Sequence, residues 1–405
     1  MTFKARDYQE DLSSKGAEIL KAYKILILSM EVRTGKSFTS FMVCQKMKYN
    51  NVLFVTKKKA IPSIEKDYKT LNPTFKLQVI NFESVHKIEG SFDCVIVDES
   101  HSIGAFPKAS KRTKELKAIV KNDLILMSGT LTPESYSQIF HQLWISKFTP
   151  FKETNFYKWA KEYIKVKQRH LSHGIVNDYS EAYQDKILAK TSPLILTFTQ
   201  VEAGFESQVN ETVLHVEMKP ITYQLINKLK KDLVLKSKDG NIVLADTAVK
   251  LMQKLHQMYS GSVLFEDGTF KIFDDSKAIF IRDHFKEKRL GIFYKFKAEL
   301  QALQDVFGND ICTDVETFNN GCKHIALQIV STEGVNLSNA DALVYYNIDF
   351  SAKNYFQSRD RLNSINRKEN QVYWIFSARG LEDRIYERVL QKKSFTLEIF
   401  KKNIK

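Results

Sequence analysis

Long apolar runs are absent from this 405-residue chain: the longest, such as ILIL, LILM and IALQIV, span four to six residues, and roughly twenty are needed to cross a bilayer. The N-terminus MTFKARDYQE also lacks the apolar core of a secretion signal, so a soluble, cytoplasmic protein is expected. Cysteine is scarce. Cys44, Cys94, Cys312 and Cys322 show no CxxC spacing, which suggests neither a disulfide framework nor a zinc site and fits a reducing compartment. The pair His170 and His173 has no nearby cysteine or acidic cluster to complete a metal site, so a surface loop is the better reading. Repeats and low-complexity segments are missing too. All seven prolines lie at or before Pro220, an asymmetry with no functional reading.

Acidic residues are outnumbered, and the net charge is +14. Such an excess favours a polyanionic partner, because phosphates neutralised by Lys or Arg release condensed counterions. The same chain is rich in Lys, Asn, Ile and Phe, as an AT-rich genome would encode, so charge alone does not decide. The length exceeds one ordinary core and calls for two or three domains.

Short apolar, β-rich runs recur at 25–30, 51–56, 77–82, 94–99 and 124–130, separated by helical or irregular stretches. Strands that are apolar throughout, joined by helical crossovers, indicate a parallel sheet covered on both faces. A second series at 291–296, 324–331, 342–347 and 371–378 predicts a second α/β lobe. Between the two, 146–190 reads as helical, basic and aromatic, while 193–199 and 211–218 read as strands returning to the first lobe. Asp239-Gly240 and Asp267-Gly268 are hairpin signals, each supplying the positive φ a tight turn needs. In 155–169, Phe156, Tyr157, Trp159 and Tyr163 interleave with Lys158, Lys161, Lys165, Lys167 and Arg169. Aromatics in the core with lysines in water is the simpler reading; lysines tracking a phosphate backbone is compatible with it. The basic C-terminus likewise reads as a docked helix with a solvated face.

The stretch MEVRTGKS, 30–37, follows the first apolar strand. Strand, tight loop ending in Gly-Lys-Ser, and helix make a phosphate-binding loop, in which backbone N–H groups cradle phosphate oxygens and Lys36 offsets their charge. The usual pattern has a glycine where this chain has Met30. A bare Gly-Lys-Ser/Thr arises by chance in roughly one chain in five of this length, so the loop must be judged by its company. That company is CVIVDESH, an apolar strand delivering Asp98 and Glu99 at its C-terminal end about 60 residues later, the edge at which open parallel sheets bind ligands. There Asp98 can hold Mg²⁺ with Ser37, while Glu99 orients and deprotonates water.

With these two elements the chain resembles superfamily-2 helicases and translocases, most closely the Swi/Snf-like branch in its compact bacteriophage form, along nearly its whole length. ARDYQ, 5–9, is similar to the family's adenine-recognition motif and implies Gln9 on the adenine edge with Arg6 and Tyr8 beside it. Glu31 falls where that branch carries an acid, and Thr34, Gly35, Lys36 and Ser37 match its nucleotide-binding loop. Ser128, Gly129 and Thr130 resemble the motif that couples hydrolysis to nucleic-acid movement. Thr56 and Lys57 in VTKKK and Phe82 in NFES sit where the first lobe grips DNA. In the second lobe IFYKF resembles the fourth motif and STEGVNLSNAD the fifth, with Gly334 and Asn336 the matching residues and Glu333 adjacent, implying Ser331 and Thr332 on nucleic acid and Gly334 at the nucleotide. QSRDRLNSINR resembles the sixth, implying Gln357 and Arg361 on the nucleotide across an interlobe cleft.

One departure stands out: Ser364 occupies the place of the second arginine of that motif, a group worth about 10³ to 10⁵ in rate in nucleotide hydrolases. Either Arg367 reaches the phosphate from one helical turn on, or Arg361 serves alone, or hydrolysis is weak; the working expectation is Arg361 as primary and Arg367 as assistant.

The resemblance implies an α/β fold of two RecA-like parallel-sheet lobes with a helical insertion and a small connector. The expected division is 1–222 for the N-terminal lobe with its insertion at 146–190, 223–275 for the connector and 276–405 for the C-terminal lobe. It further implies ATP and Mg²⁺ as cofactors, and duplex, forked, branched or single-stranded DNA as partner, with no membrane. The activity would be that of a helicase or translocase in DNA replication, recombination or repair, in the host cytoplasm if the source is viral. A nucleotide-gated DNA clamp with little turnover and an RNA helicase are the alternatives.

Overall fold

The computed structural model describes residues 5–171, 174–204, 208–237, 239–329, 335, 337–349, 369–387 and 390. Two compact units divide the chain, Met1–Gly204 and Phe205–Lys405, and each is built on a six-stranded parallel sheet.

In the first unit the apolar runs become β1 (Ile25–Met30), β2 (Asn51–Thr56), β3 (Lys76–Asn81), β4 (Cys94–Val97) and β5 (Asp123–Ser128). Their neighbours are helices α1 (Asp7–Tyr23), α2 (Lys36–Lys46), α3 (Ile61–Leu71), α4 (Lys111–Ile119) and α5 (Ile139–Trp144). Every β1 residue is buried because alternate side chains go to opposite faces. Ile25 and Ile27 join a core with Val55, Val97, Leu116 and Phe140, whereas Leu26, Leu28 and Met30 join Leu12, Leu20, Phe41 and Val43 of α1 and α2. Gly16 lets α1 approach closely, since a Cβ there would lie 2.9 Å from Val43 and 3.0 Å from Leu26.

The insertion contains α6 (Phe156–Tyr163), a hairpin of β6 (Lys167–Leu171) and β7 (Gly174–Asp178), and α7 (Gln184–Thr191). Phe156, Trp159 and Tyr163 are buried and Lys158, Lys161 and Lys165 exposed, so the aromatic stripe is core. The hairpin is an addition to the helical pattern expected there. Next, β8 (Ile195–Phe198) pairs with β1 and completes the sheet in the order β3-β2-β4-β5-β1-β8.

The strand expected at 211–218 does not return to that sheet. It is β9 (Gln208–Val216), the edge of the second sheet, paired in parallel over nine residues with a strand at Glu369–Ser377. A half-buried edge pattern does not specify which sheet it completes; here Glu211 accepts hydrogen bonds from Trp374 Nε1 (3.1 Å) and the Tyr386 hydroxyl (3.0 Å), which tie it to the second unit.

Then come α8 (Pro220–Asp232), β10 (Val234–Lys236), β11 (Ile242–Leu244), α9 (Ala248–Tyr259), β12 (Ser262–Leu264) and β13 (Phe270–Ile272). Both hairpins form where the Asp-Gly pairs stand, with Gly240 at φ 85 and Gly268 at φ 86. These elements share a small core of Ile226, Leu229, Leu255 and Met258.

The rest of the second unit is α10 (Ser276–His284), β14 (Leu290–Tyr294), α11 (Lys297–Phe307), β15 (Ile311–Cys312), α12 (Val315–Asn319), β16 (His324–Gln328), β17 (Ala342–Tyr345) and β18 (Glu369–Ser377). The sheet runs β15-β16-β14-β17-β18-β9.

Two buried histidines give this unit an acid sensitivity. Burial, then the Lys295 charge, lowers His256 to about 4, and its Nε2 lies 2.6 Å from Asn347 Oδ1. Burial, then Lys323, lowers His324 to about 4. An unfolded histidine takes its proton near 6.5, so between pH 6.5 and 4 the unfolded chain binds protons the folded one refuses, and stability falls as pH drops through that window. Urea midpoints of the second unit should decline from pH 6.5 to 4 and be flat with respect to these groups above 6.5; His256→Gln should shallow the decline.

No helix among the described residues is long and apolar enough to cross a membrane.

Candidate nucleotide site

Strand β1 ends at Met30, residues 31–35 turn, and α2 begins at Lys36. Gly35 is the N-cap at φ 84, with no side chain capping the helix, so the first-turn N–H groups present an anion site. The Lys36 ammonium donates to the carbonyls of Met30 (2.9 Å) and Glu31 (3.1 Å), which places it over the loop. Met30, in place of the usual glycine, is fully buried in the α1/α2 core and contributes only its carbonyl. The position is a strand end rather than a turn, which is the physical reason a large side chain fits. Thr34 is fully buried and its hydroxyl donates to Glu31 O (2.7 Å).

Residues 6–9 pack on this loop. Arg6 N donates to Gln9 Oε1 (3.1 Å), Arg6 Nη1 to the Tyr8 hydroxyl (2.9 Å), and that hydroxyl to Thr34 O (3.2 Å). Tyr8 stacks on Phe198 with ring centroids 4.7 Å apart. The Gln9 amide abuts Gly35, where a Cβ would lie 2.3 Å from Gln9 Nε2, and it is the positive φ of 84 that favours glycine there.

Strand β4 carries Asp98 and Glu99 to the same C-terminal edge of the sheet, with β5 between β4 and β1. Asp98 Oδ2 accepts from Thr56 Oγ1 (2.8 Å) and Oδ1 from Glu99 N (2.9 Å). Glu99 sits in left-handed backbone, φ 48, ψ 49, and its Oε2 lies 3.3 Å from His101 Nδ1. That nitrogen is also 3.0 Å from Ser128 Oγ, which donates to Thr130 O (2.8 Å) and accepts from Thr130 N (3.1 Å). A Cβ on Gly129 would lie 3.5 Å from Met30 O and 3.9 Å from Lys36 Nζ. The structure therefore brings 128–130 against both the phosphate loop and the acidic strand end.

Two of the residues expected to grip DNA have buried side chains. Thr56 is 1 % exposed with its hydroxyl donated to Asp98, and Phe82, also 1 % exposed, packs into the first unit's core. Lys57 is half-buried. Ser331, Thr332, Glu333, Gly334, Asn336, Gln357, Arg361, Ser364 and Arg367 lie outside the described residues.

Gln200 was not anticipated. Its backbone N–H donates to Glu31 Oε2 (2.7 Å) and its side-chain amide to Val32 O (2.9 Å), bracing the first half of the loop from the turn after β8. Only the pairing of β8 with β1 brings it there; nothing local in the sequence signals it. His101 stood inside the DESH motif but had no role until its two partners were placed.

No family model matches the chain. By sequence it is 22 % identical over 339 residues to the "Probable chromatin-remodeling complex ATPase chain" of Oryza sativa subsp. japonica, covering 75 % of this chain and 29 % of that one. The chain thus spans under a third of the length of this relative. Among solved structures, the "Sulfolobus solfataricus SWI2/SNF2 ATPase core in complex with dsDNA" aligns over 98 % of this chain and 93 % of its own, at 14 % identity and a TM-score of 0.43. In sequence the chain is a distant relative of a probable chromatin-remodelling complex ATPase chain.

Proposed function

We propose that the chain is an ATP-dependent DNA translocase or helicase, its ATPase stimulated by duplex, forked or branched DNA. The observation that carries this is the meeting of the Lys36 loop and the Asp98–Glu99 strand end on one edge of one parallel sheet, with Ser128–Thr130 touching both. Lys36 and the α2 N-terminus would take the phosphates, Gln9 the adenine edge, and Glu99 the attacking water. Ser37 and Asp98 fit Mg²⁺, a hydroxyl and a carboxylate being the hard oxygen donors that ion takes; when bound, it offsets charge on the phosphates. The Glu99–His101–Ser128 contacts supply a route by which the state of the nucleotide biases the 128–130 segment. Arg361, assisted by Arg367, is assigned to the transition-state charge by resemblance alone.

ATP turnover compared across single-stranded, duplex, forked and four-way-junction DNA tests the substrate class. DNA should stimulate turnover about tenfold or more, and RNA should not replace it; equal stimulation by RNA, or none by any DNA, would reject the proposal.

A further inference from the structure

The cysteines, scattered in the sequence, come together in the fold as two pairs, one in each unit. Cys44 of α2 and Cys94 of β4 are fully buried in the core they share with α1 and α2. Burial, then a hydrogen bond with Cys44, pushes the Cys94 thiol well up. Enclosed by apolar side chains and held protonated, that pair is inert.

Cys312 and Cys322 differ in being part-exposed. Cys312 ends β15, the edge strand of the second sheet, and Cys322 lies in the turn that leads from α12 into β16. Cys312 Sγ lies 3.4 Å from the carbonyl oxygen of His324, and Cys322 Sγ lies 3.3 Å from the same oxygen, so the two thiols are neighbours. Burial, then a hydrogen bond with the Cys322 thiol, raises the Cys312 thiol to about 12. Cys312 therefore keeps its proton at neutral pH, and of the two Cys322 is the one left to attack. Positive charge stands on that side of the pair: Arg289 Nη2 donates to the Cys322 carbonyl (3.2 Å), and Lys323 follows in the chain. Among the described residues no group of three or more His, Cys, Asp or Glu side chains is placed to hold a metal ion, so thiol chemistry is what the pair can offer.

We infer that Cys312 and Cys322 form a reversible disulfide, with a small-molecule disulfide such as oxidised glutathione as the oxidant and Cys322 as the attacking thiol. The Cys322 thiolate attacks one sulfur of the oxidant, which forms a mixed disulfide and releases the other half as a thiolate. Cys312 then loses its proton to solvent, and its sulfur attacks Cys322 Sγ and displaces the second half. The two cysteines lose two electrons and two protons, and the oxidant is reduced to two thiols. The new bond ties the edge strand β15 to the entry of β16 around α12, whose Phe318 is buried in the core of the second unit and whose Asn319 accepts from Asn339 (2.9 Å).

Mass spectrometry tests this on the full reduced chain, incubated at neutral pH with excess oxidised glutathione and then alkylated. The expected product is a disulfide joining the peptides that carry Cys312 and Cys322, with Cys44 and Cys94 alkylated and the bond fully reversed by dithiothreitol. Single variants order the steps, serine retaining a donor for the same carbonyl oxygen. Cys312→Ser should accumulate a glutathione adduct on Cys322, whereas Cys322→Ser should acquire one on Cys312 about tenfold or more slowly. Alkylation of both Cys312 and Cys322 in the oxidised parent would overturn the inference. So would equal adduct rates in the two variants, or a bond found only between separate chains, seen as a dimer on a non-reducing gel.

Discussion

Glu99→Gln is expected to lower ATP turnover by about 10²- to 10⁴-fold while leaving Mg·ATP binding within a few-fold of wild type, the magnitude of a lost general base. Glu99 closes a strand that is apolar to its last residue, holds a left-handed backbone and is the acidic side chain at that edge nearest His101. Glutamine keeps the shape and a hydrogen-bonding oxygen but cannot accept the water's proton. Asp98, with its Thr56 and Glu99 N–H contacts, is left intact, so metal and phosphate binding should persist. Phosphate release in the steady state, paired with a nucleotide-binding titration, reads the two effects separately. Turnover within threefold of wild type would remove Glu99 from the chemistry.

The largest stability effect is expected in the second unit. Lys277 Nζ and Glu382 Oε1 form a 2.8 Å ion pair, both side chains 0 % exposed. Ser377 Oγ also donates to that oxygen (2.7 Å). Burial pushes the Glu382 carboxyl up, but the Lys277 charge and the hydrogen bonds from Lys277 and Ser377 hold it below the usual range on balance. Removing one partner leaves a buried charge uncompensated, so Lys277→Ala should destabilise by about 3–5 kcal/mol, a large share of the 5–15 kcal/mol typical of a domain. Lys277→Met combined with Glu382→Leu, which removes both charges, should recover most of that loss. Urea denaturation of the two variants decides it; a single-substitution effect below about 1 kcal/mol would show that the pair is dispensable.

Much of this fold is legible in the sequence because its strands are buried on both faces. Runs such as ILIL and CVIV need no knowledge of their neighbours to be recognised, and the phosphate loop and the Asp-Glu strand end follow from them. Membership of a sheet is another matter: β8 and β9 read alike, yet one pairs with β1 and the other with β18, a choice made by long-range packing. The inward turn of the Thr56 and Phe82 side chains, toward Asp98 and the core, is likewise something no local pattern signals. Lys277 and Glu382 are 105 positions apart, and Gln200 meets Glu31 across 169, separations at which no local pattern operates.

The central claim, that the edge built from Lys36, Asp98 and Glu99 is a working ATPase coupled to DNA, is tested most directly by steady-state ATP hydrolysis of the full chain with Mg²⁺, with and without duplex DNA, and with Lys36→Ala alongside. Hydrolysis that rises about tenfold or more with DNA and vanishes in Lys36→Ala is the predicted result. Hydrolysis that persists in Lys36→Ala, or that is absent from the wild-type chain under both conditions, would contradict it.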